Sequence, residues 1–455
     1  MTLRRKVNPL DLDDIQGNIL RGYGFPAAGY LFVRVDDPAA GRRWLGSLVD
    51  PITTAAEWVE GKPEHTLNVA VTAVGLRALG VPDEMMRTFP VAFRAGMRAR
   101  ADVLGDVGPS DPSGWDSGLG DGTAHVLVTV DTLQGEALGE HMDDLRRSIE
   151  EPGSGLTIVH EQRASIFQGS RDQFGFADGF AQPLIEHAGM PERAGRGTPG
   201  RWFGWMPVKP GEFVLGYEDE DLLLPESPAP PLGDNGTFMV YRKLYQDVAS
   251  FRRFLREQGA GFPGGEEKLA AKIVGRWRDG TPLVLSPDAP DPAISGNLGR
   301  IDRFRYRDDL DGFRCPIGAH IRRTNPRDAL GWGGMRTKRH RIIRRGMPYG
   351  APLPEGVLED DGVDRGLVFV CYQASLERQF ETIQRIWCND GNIFGIGADR
   401  DFLLGGPEGE GKMTIQGDPP HFIRGILPFV QTRGGEYLFM PGLDALRALA
   451  AGFPA

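Results

Sequence analysis

Val126-Leu127-Val128-Thr129-Val130, followed by Leu138, Met142, Leu145 and Ile149, is the stretch that decides the fold. The first five residues are an apolar, β-branched run. The next four recur at spacings of four, three and four, which places them on one face of an amphipathic helix. Three more units repeat this pattern. Tyr30–Val35 precedes Leu45, Leu48 and Val49, and Phe238–Tyr241 precedes Val248, Phe251, Phe254 and Leu255, with Gly259 expected as the helix cap. Leu367–Tyr372 precedes Leu376, Phe380, Ile383 and Trp387, again spaced four, three and four.

Two strand-helix units in each half, at long and irregular intervals, predict a duplicated α+β fold: two ferredoxin-like domains, each an antiparallel sheet covered by helices on one side. A doubly wound parallel sheet is the competing reading, weakened by the lack of GxGxxG after any strand. At 455 residues two domains are expected. The Gly- and Pro-rich segment Gly189–Gly236 is the expected join, giving domains 1–215 and 216–455. Other loop-like stretches are Gly105–Gly122, Ser286–Gly299, Gly346–Asp364 and Gly405–Gly411.

A net charge of −10 argues against a nucleic-acid binder, which needs a positive field over one face. Cys315, Cys371 and Cys388 form neither a disulfide framework nor a CxxC pair, which fits a reducing cytoplasm. No uncharged apolar window of about 18 residues occurs, and no apolar run follows the basic N-terminal residues, so neither membrane insertion nor secretion is expected.

Three segments carry chemistry: Gly175-Phe176-Ala177-Asp178-Gly179, Cys315-Pro316-Ile317-Gly318-Ala319-His320-Ile321-Arg322, and Arg341–Gly350. Together they supply a carboxylic acid, an imidazole and a guanidinium, the minimum for a haem peroxidase. Asp178 stands among Phe174, Phe176 and Phe180, so desolvation is expected to raise its pKa toward mildly acidic pH; with an aspartate as base and oxidation consuming protons, highest activity is expected below about pH 6. The basic run after His320 suits the carboxylates of an anionic cofactor, although a solvated basic patch reads equally well. The lack of CxxCH excludes thioether attachment, and Cys315 reads as a buried hydrophobe. On an extended strand Arg341, Ile343 and Arg345 would share one face and Ile342 and Arg344 the other.

These segments resemble the dye-decolourising peroxidase family. The GxxDG element at Gly175–Gly179, the Gly-Ala-His-Ile-Arg-Arg-Thr-Asn-Pro-Arg run at 318–327 and Arg-Ile-Ile-Arg-Arg-Gly-Met-Pro-Tyr-Gly at 341–350 carry the likeness. Asp14–Leu20 and Arg433–Tyr437 extend it nearly end to end, and the long loops point to the family's longer members.

The resemblance implies one non-covalent haem b per chain, held in the C-terminal half near the cleft between domains, with His320 as proximal ligand. It makes Asp178 the distal acid–base and Arg344 the distal arginine. It places Leu367 and Phe369 in the distal wall and gives His320 an acidic partner, Asp399 or Asp401. Arg322 or Arg323 is expected to hold a haem propionate, and Trp387 is a candidate for surface electron transfer, with helix packing as the alternative. The implied substrates are hydrogen peroxide and a bulky organic reductant. A haem-binding, iron-handling protein with incidental peroxidase activity is the second reading.

Overall fold

The computed structural model describes residues 9–189, 198 and 199, 205–404, 411–425 and 428–453. The expected loops around 190–204 and 405–410 therefore lie largely outside the described residues.

Strand β1 (Ala27–Val35) leads into helix α1 (Pro38–Val49), which opens on Pro38 with the Asp37 side chain accepting from the Ala40 amide. Strands β2 (His65–Thr72) and β3 (Val126–Thr132), helix α2 (Ala137–Glu150) and β4 (Leu156–Ser165) complete the first half. The strands lie side by side as β4-β1-β3-β2, all antiparallel. That is the ferredoxin-like β-α-β-β-α-β order. Leu138, Met142, Leu145 and Ile149 of α2 are all buried, as their spacing requires.

The second half repeats it with β5 (Thr237–Gln246), α3 (Val248–Gly259), the short β6 (Ile343–Arg344) and β7 (Met347–Tyr349), β8 (Gly366–Gln373) and β9 (Val430–Met440). Two helices serve the site: α4 (His320–Thr324) before β6, and α5 (Leu376–Cys388) after β8. A last helix, α6, spans Leu443–Ala451. The order is β9-β5-β8-β6, with β7 also on the free side of β8. The two halves join edge to edge, Leu438 opposite Thr72 and Phe439 opposite Val71.

The helices cover one face, as expected, but the other face is closed by the sheet itself. The sheet curls until Phe32 and Tyr30 on β1 meet the Tyr241 ring on β5, at 4.9 and 5.5 Å between centroids. A second core thus forms between the halves, holding Leu127, Tyr241, Val370 and Leu438.

Two local expectations change. Gly259 is the last residue of α3 and Ala260 its cap; a Cβ on Gly259 would meet the backbone of Glu266 at 2.7 Å, so close packing is what demands glycine there. Helix α5 winds as a π-helix, with the Asn389 amide bonded five residues back to Gln384. Its wider turn brings Gln379 and Glu381 inward beside the expected apolar residues. Both find partners, Gln379 on the Glu212 and Arg341 carbonyls and Glu381 on Arg100 and the Tyr437 hydroxyl.

Candidate active site

The GxxDG loop owes its shape to two glycines, Gly175 at φ +89° and Gly179 at φ +92°, a region L-residues rarely adopt. Within it the Phe176 amide donates to Asp172 Oδ1 at 2.8 Å, and the Asp178 amide to the Ser170 carbonyl at 3.0 Å. Arg278 clamps it from outside: its carbonyl accepts from Ala177, its guanidinium binds the Phe174 carbonyl, and its cation lies 4.9 Å from the centre of the Phe176 ring. The carboxylate of Asp178 is thereby aimed at Arg344, with Nη1 to Oδ1 at 3.4 Å.

Arg344 lies on β6, opposite Cys371 of β8, and Gln182 brackets its peptide by accepting from the amide and donating to the carbonyl. Its Nη2 donates to the Phe180 carbonyl at 3.0 Å. The expected alternation of arginines fails because β6 is two residues long. Arg341 and Arg344 both reach the same cavity, while Arg345 turns to a second one.

That first cavity, of about 270 Å³, is lined by Asp178, Arg344 and His320 together. The side chain of Asp178 keeps 55 % of its surface open, but the open surface faces the cavity. Desolvation does push its carboxyl upward, as the Phe-rich sequence led one to expect. Arg344, the Gly179 amide, His320 and Arg276 together outweigh that, and the carboxyl ends below its ordinary value. Its neighbour Asp172 is pushed up to about 6, chiefly by burial, and the Phe176 amide and Arg278 do not offset this.

His320 is the first residue of α4, and its Nδ1 lies 2.8 Å from Asp401 Oδ2. Asp401 has no exposed surface, and its Oδ1 accepts from the Leu403 and Leu404 amides at 3.0 Å each. An acceptor so placed fixes the proton on Nδ1 and leaves Nε2 as the ring's free donor atom. Burial lowers the imidazole pKa, but the Asp401 carboxylate and its hydrogen bond more than reverse this. Asp399, the alternative partner, is engaged elsewhere: Oδ2 accepts from the Thr414 amide at 2.7 Å and Oδ1 pairs with Lys412 at 2.6 Å.

Arg322 and Arg323 do not reach the cavity. Arg323, fully buried, donates to the carbonyls of Trp387, Asp399 and Gly318, and Arg322 to those of Cys315 and Leu310 while pairing with Asp309. Their guanidiniums hold loops together, which removes both from the part the sequence assigned them. Among the described residues Arg276, Arg327 and Arg341 line the cavity instead, as does Arg242, which is paired with Asp106. Arg276 and Arg327 lean on one carboxylate, Asp302, and Arg341 donates to the Ala181 carbonyl at 2.5 Å. Burial pushes Arg341 down to about 10. Arg327 and Arg341 stand in the quoted basic runs; Arg276, between Gly275 and Trp277, carried no such signal.

The cavity therefore suits a flat, apolar group bearing negative charge and a metal. Among the described residues five arginines line it against three aspartates, and adding Asp302 behind the wall leaves that balance cationic. Rings and aliphatic carbon, with Phe174, Val274 and Ile321 among them, line it beside uncharged polar groups such as Thr324, Asn325 and Gln384. Leu367 and Phe369, two apart on β8, face the same side and form part of the partition toward the second cavity.

Trp387 is only 2 % exposed, so it is not a surface residue. Its ring meets His340 edge-on at 5.1 Å and packs with Ile383 and Cys388.

An imidazole braced by a buried carboxylate, with a carboxylate–guanidinium pair lining the same cationic cavity, is the equipment of a haem peroxidase. Comparison with known proteins agrees. Residues 14–165 match the DyP dimeric alpha+beta barrel domain and residues 228–393 the Dyp-type peroxidase C-terminal domain. A dye-decolorizing peroxidase of Mycena epipterygia is 31 % identical, the match covering 97 % of this chain and 87 % of that one. The solved structure of an ancestral D-type dye decolorizing peroxidase superposes with a TM-score of 0.85 at 31 % identity, covering 97 % of this chain and all of that one. A dye-decolorizing peroxidase in complex with 2,6-dimethoxyphenol gives 0.83 at 30 %, with the same coverage. The chain belongs to the dye-decolorizing peroxidase family, and it is a peroxidase.

Proposed function

We propose that the chain holds one non-covalent haem b through His320 Nε2 in the first cavity and uses hydrogen peroxide to oxidise phenols and dyes by single electrons. When bound, the haem supplies the iron at which peroxide is cleaved and the oxidising equivalents are kept. The single observation that carries this reading is His320 and the Asp178–Arg344 pair lining one cavity with surplus positive charge.

Asp401 keeps Nδ1 protonated and makes the imidazole a stronger donor through Nε2. Asp178, held ionised by Arg344, takes the proton from the near oxygen of peroxide and returns it to the far one, so that water leaves. Arg344 stabilises the negative charge that builds on the departing oxygen. Arg276, Arg327 and Arg341 would hold the haem carboxylates, being buried cations with one carboxylate, Asp302, shared between two of them. Leu367 and Phe369 keep bulky molecules from the peroxide, so large dyes give up electrons from outside.

The halves 1–215 and 216–455 then divide the labour, the first bringing Asp178 and the second His320 and Arg344. Three buried, unpaired thiols favour a reducing compartment such as the cytoplasm. No helix among the described residues is long and apolar enough to cross a membrane.

The test is the visible spectrum of the purified protein before and after one equivalent of peroxide. A Soret band that shifts with peroxide, and is displaced in His320→Ala, is expected. An unshifted band, or the same spectrum in His320→Ala, overturns the reading.

A further inference from the structure

His65 and His141 are brought together from distant parts of the chain, with ring centroids 4.0 Å apart and planes inclined by 31°. His65 opens β2, where its backbone is fixed opposite Thr132 of β3, and the Glu64 carbonyl before it accepts from the Leu133 amide at 2.8 Å. His141 rides on α2, whose height above the sheet is set at Gly29 of β1. A Cβ on Gly29 would run into Met142 Sδ, so glycine there lets the helix settle this close. Both imidazoles therefore hang from rigid backbone, which reduces the entropy lost when they take a common ligand.

The pair has the character of a donor set. Among the described residues no hydrogen bond uses a nitrogen of either ring. Burial, and after it the neighbouring imidazole, lower the pKa of His65 against the pull of Glu64, so at neutral pH its ring is uncharged and carries a free lone pair. Each histidine also follows an exposed glutamate, Glu64 and Glu140, which places negative charge beside the rings. Among the described residues no third His, Cys, Asp or Glu completes a metal-binding group with them, so the protein offers two nitrogens and leaves the other positions to solvent. Two imidazoles and water suit copper(II) above nickel(II) and zinc(II), and give magnesium and calcium, which want oxygen, nothing to hold.

We infer that His65 and His141 form a copper(II) site on the first half of the chain, one ring nitrogen of each bound to the ion and water completing its coordination. Two metal–nitrogen bonds of about 2 Å span nitrogens up to about 4 Å apart. A turn of the exposed His65 side chain brings the pair within that reach. The ion clips β2 to α2 and stabilises the folded chain by mass action. Neither donor lines the first cavity, so the site stands independently of the haem reading.

The experiment titrates haem-loaded protein with cupric chloride by isothermal calorimetry in a buffer that does not chelate metals, and follows thermal unfolding with and without the ion. One copper per chain should bind in the strongest event, the melting temperature should rise by a few degrees, and the Soret band should not move. The paramagnetic resonance of the bound ion should show coupling to two nitrogens. His65→Gln and His141→Gln should each abolish the strongest event and the rise, and the double substitution should lose no more than either one. His65→Gln, an exposed change, should leave the metal-free melting temperature as in the wild type. Excess magnesium chloride should not displace the copper. A strongest event that survives in either single variant, copper that magnesium displaces, or wild-type protein that takes up no copper overturns the site.

Discussion

His320 Nδ1 and Asp401 Oδ2 lie 2.8 Å apart, and the second oxygen of Asp401 is taken by two backbone amides, so this carboxylate has no freedom to turn away. Removing its charge while keeping its shape, as Asp401→Asn, should weaken haem retention about 10- to 100-fold, the usual cost of losing such a partner. Asp399→Asn should leave retention unchanged, because Asp399 serves Lys412 and Thr414. Haem loss to apomyoglobin measures both, and equal effects would contradict the distinction.

Arg344→Leu should slow the reaction with peroxide by about 10²- to 10³-fold, the scale of losing one preorganised charge. Because Gln182 holds the peptide of residue 344 and not its side chain, the fold and the Soret band should persist. Stopped-flow mixing with peroxide reads the rate.

The folded pKa of Asp178 is depressed, so its carboxylate form is already present at and above the ordinary value of 3.8 and is lost only as pH falls below it. The rate with peroxide should therefore stay level from about pH 5 to 8, except for a minor step near 6 from the ionisation of Asp172. Asp172→Asn keeps the bond from the Phe176 amide and should erase that step. A rate that instead fell steadily above pH 5 in both proteins would show that Asp178 is not the base. This corrects the raised pKa that the aromatic neighbours of Asp178 suggested.

Arg341→Met leaves no carboxylate stranded, since that guanidinium donates to the Ala181 carbonyl and Asp302 nearby keeps Arg276 and Arg327. Haem affinity should drop while thermal stability of the haem-free chain holds or rises, because a buried cation has been removed. Arg323→Met should do the reverse, costing stability because five backbone carbonyls, those of Gly318, Trp387, Cys388, Asp390 and Asp399, lose its hydrogen bonds. Calorimetry and haem titration of the pair check this.

Trp387→Phe should cost about 1–3 kcal/mol of stability, as trimming a packed core side chain does. Turnover of a large dye should be unaltered. A selective loss of dye turnover would restore the electron-transfer role.

Periodicity made the four strand-helix units legible, because one buried face leaves a direct imprint on spacing. The seam between Thr72 and Leu438 left no imprint: pairing across 366 positions is set by how the sheet curls. At the site, the residues flanked by glycine or by a dense polar run, Asp178 and His320, stood out. Arg276 did not, because a cation that faces inward looks the same in sequence as one that faces water. Arg322 and Arg323 misled for that reason: adjacent basic residues on a short helix met backbone carbonyls instead of a ligand. The choice between Asp399 and Asp401 needed coordinates, since two residues of chain decide which carboxylate faces the imidazole.

Strand β9 is the last long strand in the chain yet lies at the middle of the sheet, between β2 and β5. During synthesis the first half and most of the second must wait with open edges until residues 430–440 emerge. Zippering that strand is therefore the step that commits the chain, and unpaired edges before it invite self-association. Nascent chains arrested before residue 430 should be protease-sensitive and unable to keep haem, and chaperone demand should peak just ahead of that point.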